Sequence, residues 1–173
     1  MFRPAFILTL CLAILPPQGA AHAQESVTVL SAETIELNGT RYRLAGIDAP
    51  EPGQRCWLTS HLYPCDEIAH AALMDLVAGS AEVRCQPLDK VPLADGTIAA
   101  RCFSEGYDLA EGMTYTGWAL ADGTAGGPYH TVEAAARKAK RGLWRGRFVP
   151  PRDWRAGARL PEEAKAASGA SGG

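Results

Sequence analysis

The stretch RYRLAGIDAPE, residues 41–51, has the pattern of a β-strand that ends in a turn. Three charged side chains, Arg43, Asp48 and Glu51, fall within nine positions of this strand end, and Pro50 lies between the two acids. Such a group is typical either of an ordinary polar surface, held together by ion pairs, or of a site that handles phosphate. The residues that would complete a phosphate site decide between these two interpretations.

A second strand precedes this stretch and is joined to it by the Asn-Gly pair at 38–39, the strongest short signal for a β-hairpin. A two-residue turn sets Glu36 opposite Arg41 and Thr34 opposite Arg43. A β-bulge would shift this register by one residue. We therefore predict a hairpin with an ion pair between Glu36 and Arg41.

The rest of the chain alternates between strand and helix patterns. Strand patterns followed by a helix, further strands and then helices are typical of a small β-barrel with appended helices. We predict a five-stranded OB-type barrel, a class that often binds nucleic acids or sugars, with about three helices. The predicted strands are AEVRCQPL and GTIAARCF, and the predicted helices cover 67–78, 108–121 and 129–144.

The first 23 residues have the features of a signal peptide: an early arginine, an apolar run over 5–15 and small residues before a cleavage point after Ala23. The run is shorter than the roughly 20 apolar residues that span a bilayer, which argues against an uncleaved anchor. We expect export to the periplasm or the medium, without a stable membrane anchor after cleavage, as a monomer. The domain covers 24–160, and the low-complexity tail 161–173 is expected to be disordered.

Four cysteines remain after cleavage, an even number that suggests two disulfides in an exported protein. Sequence alone allows three pairings, and locality favours Cys56–Cys65 and Cys85–Cys102. A zinc site is the competing interpretation, but the spacing contains no CxxC and the compartment is oxidising. Residues 52–64 are expected to form a loop closed by the first bridge.

Charge is unevenly distributed along the chain. Residues 24–136 carry 6 basic and 16 acidic side chains, whereas residues 137–159 carry 9 basic side chains and one acid. This asymmetry can steer an anion toward the basic end, although a solvated helix face followed by a basic segment explains it equally well. A dedicated DNA-binding surface is usually more basic overall.

Several motifs together resemble the thermonuclease family, whose members have the staphylococcal-nuclease-like fold. In chain order they are YRLAGIDAPE, RCWL, YPCDEIAHAAL, VRC, EGYDLAEGMTYTGWAL, EAAARKAKRGLW and DWR. The resemblance covers residues 26–155, and the cysteines and signal segment are similar to those of exported bacterial members. It implies Ca²⁺-assisted hydrolysis of phosphodiesters in DNA or RNA. In that chemistry, cations stabilise the charge that builds on phosphorus while a carboxylate positions water.

The resemblance assigns a role to each charged residue at the strand end. Arg43 matches a phosphate-binding arginine, and Glu51 matches the glutamate that acts on the attacking water. Asp48 matches a metal-ligand aspartate, and Ala49 stands where a threonine contributes its backbone carbonyl to the metal. Glu33 takes the place of a second metal-ligand aspartate, with an extra methylene that displaces its oxygens by about 1.5 Å.

A second departure from the family pattern is larger. Thr97 stands where the family has its second arginine, and loss of one such charged stabiliser typically costs about 100- to 1,000-fold in rate. Arg101 lies on the same strand face but about 13 Å further along, too far to replace it. The region after the second helix also lacks the family's base-stacking tyrosines, and Tyr129 is expected to be a packing residue.

Three hypotheses follow from these observations. The first is an exported Ca²⁺-dependent nuclease of reduced activity, with DNA or RNA as its substrate. The second is a catalytically inactive module of the cell envelope that binds nucleic acid or protein. The third is a disulfide-stabilised barrel that binds another anionic ligand, such as a glycan.

Overall fold

The computed structural model describes residues 26–123 and 127–170, so the predicted signal peptide lies outside the described residues. Helices and strands alternate in an order close to the prediction. The strands are β1 Val27–Ser31, β2 Thr34–Leu37, β3 Thr40–Leu44, β4 Ile47–Asp48, β5 Arg55–Leu58, β6 His61–Pro64, β7 Val83–Pro87, β8 Ile98–Ser104, β9 Tyr107–Asp108 and β10 Leu120–Ala121. The helices are α1 Cys65–Val77, α2 Leu109–Thr116, α3 His130–Lys138, α4 Pro151–Arg155 and α5 Pro161–Ala170, with a 3-10 helix at Gly142–Arg145.

Six strands form a mixed sheet in the order β1-β2-β3-β8-β7, with β9 paired to β8. All pairings are antiparallel except that of β3 with β8, which is parallel. Two small antiparallel pairs, β4 with β10 and β5 with β6, lie outside this sheet. Because β4 follows β3 directly, the end of the strand that carries Arg43 is held both by the main sheet and by β10.

The predicted hairpin is confirmed. Glu36 pairs with Arg41 and Thr34 pairs with Arg43 in the register between β2 and β3. The Glu36 carboxylate and the Arg41 guanidinium are 3.3 Å apart. The register irregularity lies between β1 and β2 instead, so it leaves the pairing of Arg43 unchanged.

The predicted five-stranded OB-type barrel is not confirmed. Among the described strands, β1 pairs only with β2 and β7 only with β8, so the sheet keeps two free edges. Helix α1 packs beside the β1 edge, where the His70 ring nitrogen bonds the Val29 carbonyl oxygen at 3.2 Å. A side chain therefore contacts the backbone at this edge, and the sheet stays open.

The core lies between the sheet and the helices α1 and α2. Apolar side chains from the sheet meet helical ones in one large cluster with almost no solvent exposure, and a smaller cluster surrounds the Cys56–Cys65 bridge. Burial of each large aliphatic side chain contributes roughly 1.5–3 kcal/mol. The largest buried members are Ile35, Leu44, Leu73, Leu109 and Met113.

The third helix is shorter than predicted because the chain must pass close to the end of α2. Gly117 ends α2 with a φ of 79°, and Gly142 has a φ of 52°. A Cβ atom at Gly142 would lie 2.4 Å from the Gly117 carbonyl oxygen. This approach excludes any side chain at Gly142 and turns the end of the predicted helix 129–144 into a separate 3-10 turn.

The expectation of a disordered tail is wrong for residues 161–170, which form α5. Proline is well suited to the first position of a helix, and Glu162 and Glu163 lie in the first turn, where negative charge is favourable. Leu160 is buried just before the helix, and Glu162 pairs with Arg147. With α4, this helix brings the number of α-helices in the described residues to five, against about three expected.

Both predicted disulfides are confirmed, as Cys56–Cys65 and Cys85–Cys102. The segment 52–64 is not a plain loop, however, since it contains the β5–β6 hairpin. The two bridges are compatible with export. Among the described residues, no helix combines the length and the apolar character that crossing a membrane requires.

The disulfides generate the first prediction. Replacing Cys85 and Cys102 by alanine should lower the free energy of unfolding by about 3 kcal/mol, because the bridge restricts the unfolded chain over a separation of 17 residues. The shorter Cys56–Cys65 loop should give a slightly smaller loss. Urea denaturation measures both, and titration of the oxidised, exported protein should find no free thiol. Four reactive thiols in the native protein would contradict the pairing.

Candidate functional site

Glu33 lies in the turn between β1 and β2 and contacts the end of the β3 strand region. Its Oε1 is 2.6 Å from the Arg43 guanidinium, and its Oε2 accepts a hydrogen bond of 3.1 Å from the Ala49 backbone N–H. The residue is only 9% exposed. Glu33 is thus held between the Arg43 guanidinium and the Ala49 backbone, in the segment that carries Asp48 and Glu51.

Burial raises the pKa of Glu33 from 4.5 to about 7. The Arg43 charge and the Ala49 N–H work in the opposite direction, while the nearby charges of Asp48 and Glu51 raise the pKa further. Near neutral pH the Glu33 carboxyl is therefore partly protonated. The negative charges of Asp48 and Glu51 favour its protonated form.

Asp48 is the last residue of β4 and contacts the C-terminal helix α4. Its Oδ1 accepts from the Arg155 guanidinium at 2.7 Å, and its Oδ2 accepts from the Arg152 backbone N–H at 3.0 Å. Asp48 is 8% exposed. Both of its carboxylate oxygens are therefore engaged by a segment more than a hundred residues away in sequence.

Glu51 shares the same arginine. The Nη1 nitrogen of Arg155 donates to the Glu51 carboxylate as well as to Asp48. The hydrogen bond with Asp48 raises the pKa of Arg155 above its ordinary value; burial opposes this rise, and the hydrogen bond with Glu51 adds to it. Arg155 thus bridges the two acids that the resemblance assigns to metal binding and to water.

A buried glutamine fixes the position of Glu51. Gln54 is fully buried; its Oε1 accepts from the Glu51 N–H at 3.0 Å, and its Nε2 donates to the Val149 carbonyl at 2.7 Å. The Glu51 turn and the approach to α4 are therefore held by one side chain. A glutamine in a polar loop gives no sequence signal for such a role.

Thr97 adds no positive charge to the acids of the site. It is 6% exposed, and its backbone N–H and hydroxyl both donate to Asp95 Oδ1, at 3.0 and 2.6 Å. These bonds from Thr97 lower the pKa of Asp95. Arg101 pairs instead with Asp108 at 2.8 Å, so it does not take the missing position. The buried Tyr129 donates its hydroxyl to Asp108 and is a packing residue, as predicted.

A groove of about 380 Å³ opens beside this group, lined by both Arg43 and Arg155. The structure brings together five of the predicted residues, Glu33, Arg43, Asp48, Ala49 and Glu51, whereas the N–H and hydroxyl of Thr97 are bonded to Asp95. They do not form the simple network of Arg43, Asp48 and Glu51 that was the alternative: Arg43 pairs with Glu33, and Arg155 pairs with the other two acids. Arg155 was missed as a site residue, although the DWR motif contains it.

The arrangement does not fit Ca²⁺. This ion takes six to eight oxygen ligands, but both oxygens of Glu33 and both of Asp48 already accept from N–H groups of the protein. No group of three metal-ligating side chains occurs within residues 26–123 and 127–170.

A second charged feature lies on α3 and the 3-10 helix that follows it. The Arg137 guanidinium lies 5.3 Å from the ring centre of Trp144, and that of Arg141 lies 4.1 Å from the ring centre of Tyr115. We call this feature the basic ridge, and its members are Arg137, Lys138, Lys140, Arg141 and Arg145. In the part of the chain that the structure describes, none of these five side chains is paired with an acid.

Among known proteins, the chain is similar to the succinoglycan biosynthesis protein ExoI of Rhizobium meliloti (strain 1021). The two are 28% identical over 121 residues, which cover 68% of this chain and 62% of that protein. The chain therefore spans about three fifths of the length of this relative. No protein-family model matches the chain.

Glu33 generates the second prediction. Its pKa is 4.5 when unfolded and about 7 when folded, so the native state binds more protons between these values and stability falls as the pH rises. The contribution is fully present below pH 4.5 and lost above 7, and it amounts to on the order of 3 kcal/mol. Glu33→Gln should remove this pH dependence.

Urea denaturation of both proteins at pH 5 and pH 8 measures the effect. The loss of stability between the two pH values should be larger in the wild type than in the variant. Equal losses in the two proteins would show that Glu33 titrates normally.

Proposed function

We propose that this protein is an exported, monomeric, thermonuclease-like module that binds nucleic acid without hydrolysing it. For the fold we propose the OB type. The five longer strands of the sheet support this, because they follow the order first, second, third, fifth, fourth, with a parallel pairing of β3 and β8. An OB fold is a partly open barrel, and an open sheet with this order is compatible with it.

One observation carries the absence of hydrolysis: the carboxylate oxygens that would hold a metal all accept hydrogen bonds from the protein. The Glu33 oxygens contact the Arg43 guanidinium and the Ala49 N–H. The Asp48 oxygens accept from the Arg155 guanidinium and the Arg152 N–H. The second arginine of the family is also absent at Thr97. A site whose metal-ligand oxygens already contact the protein, and whose two guanidiniums are themselves paired with carboxylates, lacks the main sources of transition-state stabilisation for phosphodiester cleavage.

The basic ridge supports binding of a polyanion. Its five cations lie at the C-terminal end of α3 and in the following turn, and no described acid neutralises them. Two of the guanidiniums lie at cation–π distance over the rings of Trp144 and Tyr115. Contacts of lysine and arginine with phosphates bind a nucleic-acid backbone with little dependence on the base sequence.

The ridge generates the third prediction. Binding of a labelled single-stranded DNA in EDTA, followed by fluorescence anisotropy, should weaken with salt with a log–log slope of about −3.5, the value for five neutralised phosphates. Lys138→Glu should weaken binding and make the slope less steep by about one. The matched control is Lys90→Glu, which makes the same charge change in the exposed β7–β8 connection.

Equal effects of the two lysine changes would show that net charge, not the ridge, determines binding. Loss of binding only with Arg43→Ala would move the contact to the groove and contradict the proposal. Because the matched relative is named for succinoglycan biosynthesis, a glycan competitor is included. Displacement of DNA by the glycan at lower concentration would favour the glycan as ligand.

A weakly active nuclease is the second candidate function. The observation in its favour is that Arg43 and Arg155 line one groove, and that Arg155 also contacts Asp48 and Glu51. We expect no cleavage of DNA or RNA with Ca²⁺ or with EDTA, by the wild type or by Thr97→Arg with Glu33→Asp. Ca²⁺-dependent cleavage that Glu51→Gln abolishes would establish the nuclease instead.

A further inference from the structure

Three carboxylates of the site share two guanidiniums. Glu33 and Arg43 form one pair, and Arg155 lies between Asp48 and Glu51. Without Arg155, Asp48 and Glu51 would be close together without an opposite charge. Asp48 is 8% exposed, and the charged form of a buried carboxylate is unfavourable unless it is paired or hydrogen-bonded.

The position of Arg155 is fixed by more than its own charge. The Arg152 N–H donates to the second oxygen of Asp48, and Gln54 bonds Val149 just before α4. Further back, the Trp57 and Arg147 backbones exchange two hydrogen bonds of 2.8 Å. The helix that carries the guanidinium is thus attached to the site along its whole approach.

We propose that the Arg155 guanidinium is the resident cation of this carboxylate group, so that the chain supplies from its own C-terminal segment the positive charge that a metal ion would supply. When α4 is docked, Arg155 and the Arg152 N–H each contact one oxygen of Asp48, and the positive charge of the guanidinium repels a divalent ion from the same carboxylate. Arg155 has this role whether or not the basic ridge binds nucleic acid, and the two experiments fail separately.

Calcium titration of the oxidised, exported protein tests this directly. The wild type should bind no Ca²⁺ by calorimetry up to about 10 mM, above the range of weak extracellular calcium modules. Arg155→Gln leaves the two acids without their counter-charge, and it should bind Ca²⁺ at least about tenfold more tightly, with a dissociation constant on the order of 0.1–1 mM. Its Tm should rise with added Ca²⁺, whereas that of the wild type should not.

Three variants separate charge from structure. Arg155→Lys keeps the charge and should not respond to Ca²⁺. Arg152→Gln is the matched control, because it changes a neighbouring arginine whose side chain is directed to Asp153 and keeps the backbone N–H that Asp48 needs. Asp48→Asn, added to Arg155→Gln, should abolish the response.

The proposal is overturned if the wild type binds Ca²⁺ as tightly as Arg155→Gln, or if folded Arg155→Gln ignores Ca²⁺. Should the variant fold only when Ca²⁺ is present, the proposal is supported. If it does not fold at all, NMR of the wild type decides. The Arg155 guanidinium signals should remain unchanged in Ca²⁺, and their displacement by the ion would refute the assignment.

Discussion

The negative charge of Glu33, Asp48 and Glu51 is concentrated where water has little access, and the rest of the site is arranged around its neutralisation. Glu33 and Asp48 are 9% and 8% exposed. Charge in such surroundings must be paired, protonated or hydrogen-bonded. The molecule uses all three solutions, since two guanidiniums and two backbone N–H groups contact these acids and the pKa of Glu33 is raised to about 7.

This requirement connects the sheet to the C-terminal helices. Arg43 belongs to β3 and compensates Glu33, so that pair is complete within the first hairpin region. The other two acids depend on α4, which is held by Asp48 and through Gln54 and Val149. The same contacts that stabilise the helix also occupy the carboxylate oxygens, so docking of α4 and exposure of those oxygens exclude each other.

The sequence predicts the parts of this arrangement that depend on short-range patterns. The Asn-Gly turn sets the register of the hairpin and so the place of Arg43, and cysteine spacing favours the observed bridges. The interpretation of Thr97 as a departure comes from the resemblance alone, through the glycine that precedes it. The OB-type barrel could not be predicted in the same way, since it depends on long-range contacts between strand edges, and β1 and β7 each leave one edge unpaired among the described strands.

The roles of Arg155 and Gln54 could not be predicted from short-range patterns, for physical reasons. The partner of Arg155 is 107 positions away, and an arginine in a basic segment has the same local pattern whether it contacts solvent or a carboxylate. Gln54 is buried only because two separate segments meet over it. The tail was misjudged because its composition is of low complexity, whereas its first turn is stabilised by an ion pair with Arg147.

The long separation between Asp48 and Arg155 has a consequence for how the molecule is made. A chain that is synthesised or translocated from its N-terminus presents all three acids long before their second counter-charge arrives. Closing a loop of this length carries an entropic cost, which the contacts of Asp48 and Glu51 with α4 help to offset.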